Sequence, residues 1–540
     1  MADRAWPLRP NLAWRPALTE VGDFLALVGF GIACAIGLAG TFVGLESHGF
    51  WFDELLTAHI VEPSDPAEML ARITEDVHPP LYSMVLFAYA KLVGISEPGL
   101  RSFSALSACA AVLLFVAATR QAFSLPGRLF GAAMATGSLF WFFQSQNARP
   151  YALSLLISVA ILAICLRLLA ERRDLAESKT SLVGLAALVF VGSFVHFYIL
   201  YESLAVLIVL AFLHPDKRLA ILGIGVALLA TLGLYVTLVA MAFSQANLAS
   251  NWIRNDVDWY RQVLESCLQY ALGKVGSIAI VICAAVFAFY RALSHIREDG
   301  RDKARSRFPL DPVMGLLLGV PLLVLAGSVV SSTLFTPNFF DRSFLILSPF
   351  LWAFCARLYD QAAAVAPPAV RATLALTLSG IMLSMASIVL QRLPPERPGL
   401  LYEPFRESAE WIRGIADCRS EIVPVISTDR REWYKPGHGQ AVYASTYGYY
   451  LQGFARPQLV FVEDALAGNL SADLRAELRR RLDGKGCPIV AWAVHNMPFE
   501  TMTRTVNALL RVADPAAARA VVKAQAFADG QVGYVMYLDR

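Results

Sequence analysis

Charge is scarce in this sequence. Asp, Glu, Lys and Arg make up 16% of its 540 residues while 56% are apolar, against about 25% charged residues in soluble domains. That scarcity excludes an ordinary soluble protein and points to a polytopic membrane protein. With a formal net charge of +3 and basic residues scattered through short loops, no basic face is left for nucleic acid. No Cys or His spacing matches a zinc or redox motif. Six of the eight cysteines (Cys34, Cys109, Cys165, Cys267, Cys283, Cys355) lie in or beside apolar runs, where a thiol serves as a small packing residue. Cys418 and Cys487 lie elsewhere. No glycine-rich phosphate loop follows any strand-like run, and no internal repeat is evident. No small-residue cleavage site closes the first apolar run, which therefore reads as an uncleaved span behind Arg4, Arg9 and Arg15.

What the chain has in abundance is long apolar runs. A spanning helix needs roughly 20 such residues. The runs 23–44, 102–119, 128–143, 150–169, 181–196, 200–213, 219–241, 275–293, 312–334, 343–359 and 370–390 predict about eleven spans. The stretch 80–93 is shorter and suits an interfacial or re-entrant helix. Lys and Arg in short loops mark the cytoplasmic side. The loops holding Arg120 and Arg128, Arg172, Arg173 and Lys179, Lys217 and Arg218, and Arg291 to Arg307 are basic. The segment 45–101 is acidic, with Glu46, Asp53, Glu54, Glu62, Asp65, Glu68, Glu75 and Asp76. All the basic loops fall on one side only if 80–93 does not span. The expectation is a cytoplasmic N-terminus over 1–22, a transmembrane body over 23–393 with one large extracytoplasmic loop at 45–101, and a C-terminal region outside.

Composition changes near residue 395. Pro394, Pro395, Glu396, Arg397 and Pro398 read as a linker. Beyond it, strand-like runs at 421–427, 459–463, 488–494 and 532–538 alternate with helical patterns at 404–416, 471–483 and 498–511. This alternation predicts a small α/β domain over 394–540.

Four motifs fall on the presumed outer side. Phe50-Trp51-Phe52-Asp53-Glu54 puts two carboxylates where the chain leaves the first span. Charges near membrane depth are costly and usually functional when they face a cavity. His78-Pro79-Pro80-Leu81-Tyr82 opens the short helix. A proline suits its first turn, and an imidazole beside a helix N-terminus can donate to an anion. Gln146-Asn147-Ala148-Arg149-Pro150-Tyr151 supplies a guanidinium suited to phosphate. Phe339-Phe340-Asp341-Arg342 supplies a second. His196 and Tyr198 mark an outer turn. Each has a plainer reading: a solvated acid, a surface histidine, a snorkelling arginine, a local ion pair.

Taken together, the acidic pair, HPPLY, NARPY and the late Asp-Arg resemble the polytopic GT-C glycosyltransferases over roughly residues 20–390. The resemblance is to the protein O-mannosyltransferase (family 39-like) and lipid A aminoarabinose transferase group, with oligosaccharyltransferase catalytic subunits further off. It implies transfer of a sugar from a polyprenyl-phosphate carrier on the outer face to a glycolipid, an envelope glycan or a protein; the high Ala and Arg content suggests a bacterial source and hence a bacterial inner membrane. It implies that Asp53, matching the family's first-loop acid, is the catalytic base. Glu54, His78, Tyr82, Arg149, Tyr151, His196 and Arg342 are the expected substrate contacts. Relatives often carry an acid where Asn147 stands, and in some an acid in this loop helps to hold a divalent cation, so Asn147 leaves metal dependence in doubt.

The residue chemistry agrees with the resemblance. Attack at the anomeric carbon needs a base for the acceptor hydroxyl, and the departing phosphate needs fixed positive groups. One base predicts inversion. A double displacement would need a nucleophilic carboxylate, for which Glu54 is the candidate. Two other classes compete: a lipid or sugar transporter, and an inactive scaffold subunit. Transporters place ionisable groups at mid-membrane on broken helices, often with repeats, whereas the motifs here sit at span ends.

Overall fold

The computed structural model describes residues 21–73, 76, 78–171, 175–238, 253–297, 311–335, 337–391, 404–414, 421–427, 448–483, 490–493, 497–515, 521–525 and 535–539. The linker 394–398, Cys418 and Cys487 lie outside these ranges. Most apolar runs become single helices: Val21–Gly40, Glu97–Ala118, Tyr151–Ala170, Leu175–Ser193, Phe197–Leu213, Arg218–Leu238, Gly273–Arg297, Pro312–Leu334 and Pro368–Gln391. Six helices among the described residues are individually long and apolar enough to cross a membrane. Their outward faces leave large aliphatic side chains bare, with Leu322 65% and Val281 64% exposed. Water does not tolerate such a surface over a whole body, and lipid does. The chain is a multi-pass membrane protein.

Helices approach closely where the sequence supplies small residues. A β-carbon at Gly29 would sit 2.0 Å from Ser379 Oγ, and one at Gly37 2.5 Å from the Thr136 side chain. Glycine thus lets Val21–Gly40 lie directly on Pro368–Gln391 and on Leu125–Thr136, the packing mode that replaces hydrophobic drive within lipid.

Two expected spans take a different form. The run 128–143 is two helices, Leu125–Thr136 and Leu139–Ser145. Ser138 caps the second by accepting from Trp141 N at 3.1 Å. The run 343–359 begins as a 3-10 turn, Asp341–Leu347, before the α-helix Ser348–Val365. Pro349 sits in that helix's first turn, where its missing N–H costs nothing. The two short segments, Leu139–Ser145 and Asp341–Leu347, lie against each other.

The stretch 80–93 forms the helix Leu81–Val93, 13 residues long. At 1.5 Å per residue it reaches about 20 Å, short of the roughly 30 Å hydrocarbon core. Gly94, at φ 80°, ends it. It buries Tyr82, Leu86, Phe87 and Ala90 and leaves Leu92 84% exposed. The helix Val257–Ala271 corresponds to none of the predicted elements. It is amphipathic, capped by Asp256, which accepts from Trp259 N at 2.8 Å, and it docks Trp259 Nε1 on the Phe339 carbonyl at 2.6 Å.

The C-terminal region holds a five-stranded sheet in the order β2-β1-β3-β5-β4, with β1 Ile422–Ser427, β2 Arg456–Phe461, β3 Val490–Ala493, β4 Val521–Gln525 and β5 Val535–Asp539. β1 is parallel to β2 and β3, while β5 runs antiparallel to β3 and β4. The helices Phe405–Gly414, Ala472–Asp483 and Phe499–Ala513 match the predicted helical patterns. β4 matches no predicted strand, and the run 459–463 turns helical at Val462. Phe405, Ile412, Val423, Leu451 and Trp492 join the apolar cluster that contains Phe50 and Leu55.

Candidate active site

The adjacent acids Asp53 and Glu54 open the helix Phe52–Val61. Successive residues on a helix point about 100° apart, and here the two acids take different directions. Glu54 faces the interior. Its side chain is 1% exposed and that of Arg101 2%. Arg101 donates through Nε to Glu54 Oε1 at 2.9 Å and through Nη2 to Oε2 at 2.5 Å. The Ala148 amide donates to Glu54 Oε1 at 2.8 Å, and the Trp51 amide to Oε2 at 3.4 Å. Arg101 also gathers the Leu45, His48 and Gly49 carbonyls at 2.7, 2.8 and 2.9 Å. A buried charge needs this degree of compensation. Both carboxylate oxygens are engaged, so the expectation that Glu54 touches substrate gives way to a structural one: it ties the first loop to the 146–150 turn.

Asp53 faces the other way, with its side chain 30% exposed and its Oδ2 3.5 Å from Arg342 Nη1. Arg342 lies over the Trp51 ring at 4.9 Å and the Phe340 ring at 5.6 Å, a cation–π seat that fixes the guanidinium without consuming its N–H donors. Trp51 is itself held by its indole N–H on Asn147 Oδ1 at 3.1 Å. Asn147 also donates to Gln144 Oε1 at 3.2 Å. The Asn147 side chain therefore orients the aromatic under Arg342.

Arg149 is buried. It donates to Asp76 Oδ2 at 3.3 Å, to Thr57 Oγ1 at 3.0 Å and to the Asp53 carbonyl at 3.1 Å through Nη1, and Nη2 lies 2.8 Å from His78 Nδ1. Through these contacts it braces the backbone of Asp53, while its buried Nε has no hydrogen-bond partner among the described residues. Burial pushes the Asp76 carboxyl up, but Arg149 and then His78 outweigh burial and hold it well below the usual carboxylate range. His78 Nδ1 lies 2.9 Å from Asp76 Oδ1, leaving Nε2 on the opposite edge of the ring.

The remaining expected residues collect around His78. The rings of His196 and Tyr151 lie 5.3 and 6.5 Å from it, and 5.5 Å from each other. His196 caps the helix Phe197–Leu213 by accepting from Tyr198 N through Nδ1 at 3.1 Å. Its buried Nε2 has no hydrogen-bond partner among the described residues. Tyr82 is 2% exposed, stands beside Arg149 and packs its ring 6.1 Å from Phe103. The structure thus brings all eight sequence-predicted residues to one end of the helical body.

Sequence reading passes over Arg101, Asp76, Thr57 and Glu202. Glu202 carries a usable signal, a lone charge in an apolar run. Glu202 is fully buried and accepts from Ser158 Oγ at 2.8 Å, which also lies 2.7 Å from the Ile346 carbonyl. That contact joins two helices to the 3-10 turn carrying Arg342. Among the described residues no group of three or more His, Cys, Asp or Glu side chains is placed to share a metal ion.

Comparison with known proteins supplies the frame for this geometry. No family model and no curated protein sequence matches the chain. The solved structure of ArnT from Cupriavidus metallidurans in the apo state aligns at TM-score 0.52 and 14% identity, covering 94% of this chain and 97% of that one. The same protein bound to undecaprenyl phosphate aligns at TM-score 0.51 and 15% identity, covering 95% and 98%. Near-complete coverage of both chains at so low an identity establishes architecture: this chain has the GT-C fold.

Proposed function

We propose that the protein transfers a sugar from a polyprenyl-phosphate carrier to an extracytoplasmic acceptor, with Asp53 as the general base. The observation that carries this reading is the divergence of the first loop's two acids. Glu54 is sealed against Arg101, and Asp53 stands partly open against Arg342. ArnT, which shares the fold, has been solved with undecaprenyl phosphate, and that supports a carrier of the same chemistry here.

The reaction follows from these positions. Asp53 removes the acceptor's hydroxyl proton as that oxygen attacks the anomeric carbon. The bond from this carbon to the phosphate oxygen breaks, and the electron pair leaves with the phosphate. Arg342, with unconsumed donors over Trp51, and His78 Nε2 stabilise the growing negative charge. An arriving phosphate also competes with Asp53 for Arg342, so donor binding frees the carboxylate to meet the acceptor hydroxyl. Glu54 has no free oxygen to act as a nucleophile, which favours a single, inverting displacement. A transporter fits less well, since Asp53, Arg149 and Arg342 sit at helix ends and not at broken mid-membrane segments.

In this reading the loop at 45–101 and the α/β domain at 394–540 lie outside a bacterial inner membrane, and residues 1–22 lie inside. The test is release of free carrier phosphate when purified protein is mixed with polyprenyl-phosphate-linked sugars and envelope acceptors. Release that depends on both donor and protein is expected. A panel of such donors left intact would overturn the reading. Mass spectrometry of envelope glycolipids and polymers from a deletion strain identifies the sugar and acceptor.

A further inference from the structure

The loop that presents Asp53 is gripped from two sides. On the inside, Arg101 takes the carbonyls of Leu45, His48 and Gly49. On the outside, Arg406 of the C-terminal region donates to the carbonyls of Glu46 at 3.1 Å and Ser47 at 3.3 Å. The next polar group along, the Phe50 amide, donates to the Tyr450 hydroxyl at 2.6 Å. That hydroxyl donates in turn to Glu97 Oε1 at 2.7 Å, an oxygen Arg406 also approaches at 3.4 Å. Tyr449 sets its ring edge-on to Phe50 at 5.6 Å and donates to the Ile95 carbonyl at 3.1 Å. The approach is close enough that a β-carbon at Gly49 would lie 2.7 Å from the Arg406 side chain and 3.2 Å from the Tyr450 hydroxyl.

Every backbone carbonyl from Leu45 to Gly49 is therefore claimed by one of two arginines, three by Arg101 and two by Arg406. Trp51, the seat of Arg342, and then Asp53 come directly after this clasped stretch. Neither Tyr450 nor Arg406 belongs to the region's own apolar core, which is built from Ile422, Ile426, Leu478, Met502 and Leu509 among others.

We infer that Tyr450 and Arg406 are positioning residues for the transfer reaction, acting through the 45–51 loop to fix where Trp51 and Asp53 stand. This rests on the function proposed above. The Tyr450 hydroxyl has one proton and it goes to Glu97, so its lone pair is directed at the Phe50 amide. Removing the oxygen strands a largely enclosed N–H and frees the loop to shift. A misplacement of about 1 Å at a reacting group can cost on the order of 100-fold in rate.

The test uses the full-length protein in lipid nanodiscs, with Tyr450→Phe and Arg406→Gln as variants and Arg413→Gln as the control. Arg413 bonds the Gln452 carbonyl at 3.2 Å and does not reach the loop. Two readouts are taken: hydrogen exchange of the peptide spanning residues 45–54, and the kcat and KM of transfer. Both variants should exchange this peptide roughly 10-fold faster or more, and lose roughly 10- to 100-fold in kcat with little change in donor KM. Arg406→Lys should recover part of the loss, and the control should match wild type. Exchange and kcat both at wild-type levels overturn the inference, as does faster exchange with kcat intact. If one variant fails to accumulate, the other decides. If wild type transfers nothing, the functional reading fails by itself, while faster loop exchange in both variants still supports the clasp.

Discussion

At the scale of single residues, the site is a division of labour among like groups. Asp53 and Glu54 are adjacent in sequence and opposite in fate. Asp53→Asn keeps size and removes basicity, so turnover should fall by about 10²–10⁴-fold with donor binding retained. Near-normal turnover would remove Asp53 from the mechanism. Glu54→Ala strands Arg101 and should cost roughly 3–5 kcal/mol of stability, read as loss of folded protein before any kinetic effect. The sequence announces the acidic pair. It cannot say which acid turns inward, because that depends on Arg101, 47 positions away in the chain. Arg149 is legible as a functional cation but not as a bracing one, since its partners Thr57, Asp76 and His78 meet it only in three dimensions. Asp76 gives a pH test. Burial opposes its ionisation, yet Arg149 and His78 hold its folded value below the unfolded one. A depressed carboxylate contributes stability that is complete above about pH 4 and is lost only as pH falls toward the folded value. Asp76→Asn should therefore lower stability by roughly 3 kcal/mol or more near neutral pH, by an amount that shrinks as pH falls through the folded value. Thermal melts of both proteins across pH check this, and a penalty that does not shrink in strong acid would show that another group governs it.

At the scale of elements, periodicity and length do most of the work, and they fail where structure depends on a break or on a charged face. The run 128–143 is continuous in hydropathy, and only the Gly137-Ser138 pair marks the point where Ser138 restarts the helix. The helix Val257–Ala271 alternates charged and apolar residues and so escapes a search for apolar runs. The short helix Leu81–Val93 is legible because its length alone rules out an unaided span. Its placement on the outer surface is testable by cysteine labelling in a background lacking native cysteines. Gly94, with φ at 80°, and Ser96, which caps the next helix by accepting from Gly99 N at 3.2 Å, are poor sites for the probe. Ser64, before the helix, and Leu92, at its end, are both exposed. Ser64→Cys and Leu92→Cys should react with an impermeant thiol reagent from the same side of sealed vesicles. Labelling from opposite sides would mean that the helix spans and that the loop charges were misread.

At the scale of the whole molecule, the C-terminal region links topology to redox state. Its α/β character is readable from alternating patterns, while the strand order is not, because hydropathy carries no information about which strands pair. The order matters for Cys418 and Cys487, which lie outside the described residues. Cys418 precedes β1 and Cys487 precedes β3 by a few residues each. β1 and β3 are parallel neighbours, with Val425 opposite Trp492, so the two strands begin at the same end of the sheet. Adjacent strands lie about 4.8 Å apart, within the roughly 4.4–6.8 Å between α-carbons that a disulfide accepts. An extracytoplasmic placement would let such a bond persist. It would close a loop of about 70 residues, for which the chain-entropy model gives about 4 kcal/mol, and it would support the sheet whose neighbours Tyr450 and Arg406 hold the loop before Asp53. Non-reducing peptide mapping of protein taken from its native membrane should therefore recover the Cys418 and Cys487 peptides joined, and reductant should lower the melting point of the region before it touches the membrane body. Free thiols at both positions would refute the bridge and weaken the placement of this region outside the cytoplasm, leaving the loop-labelling result to decide the topology without it.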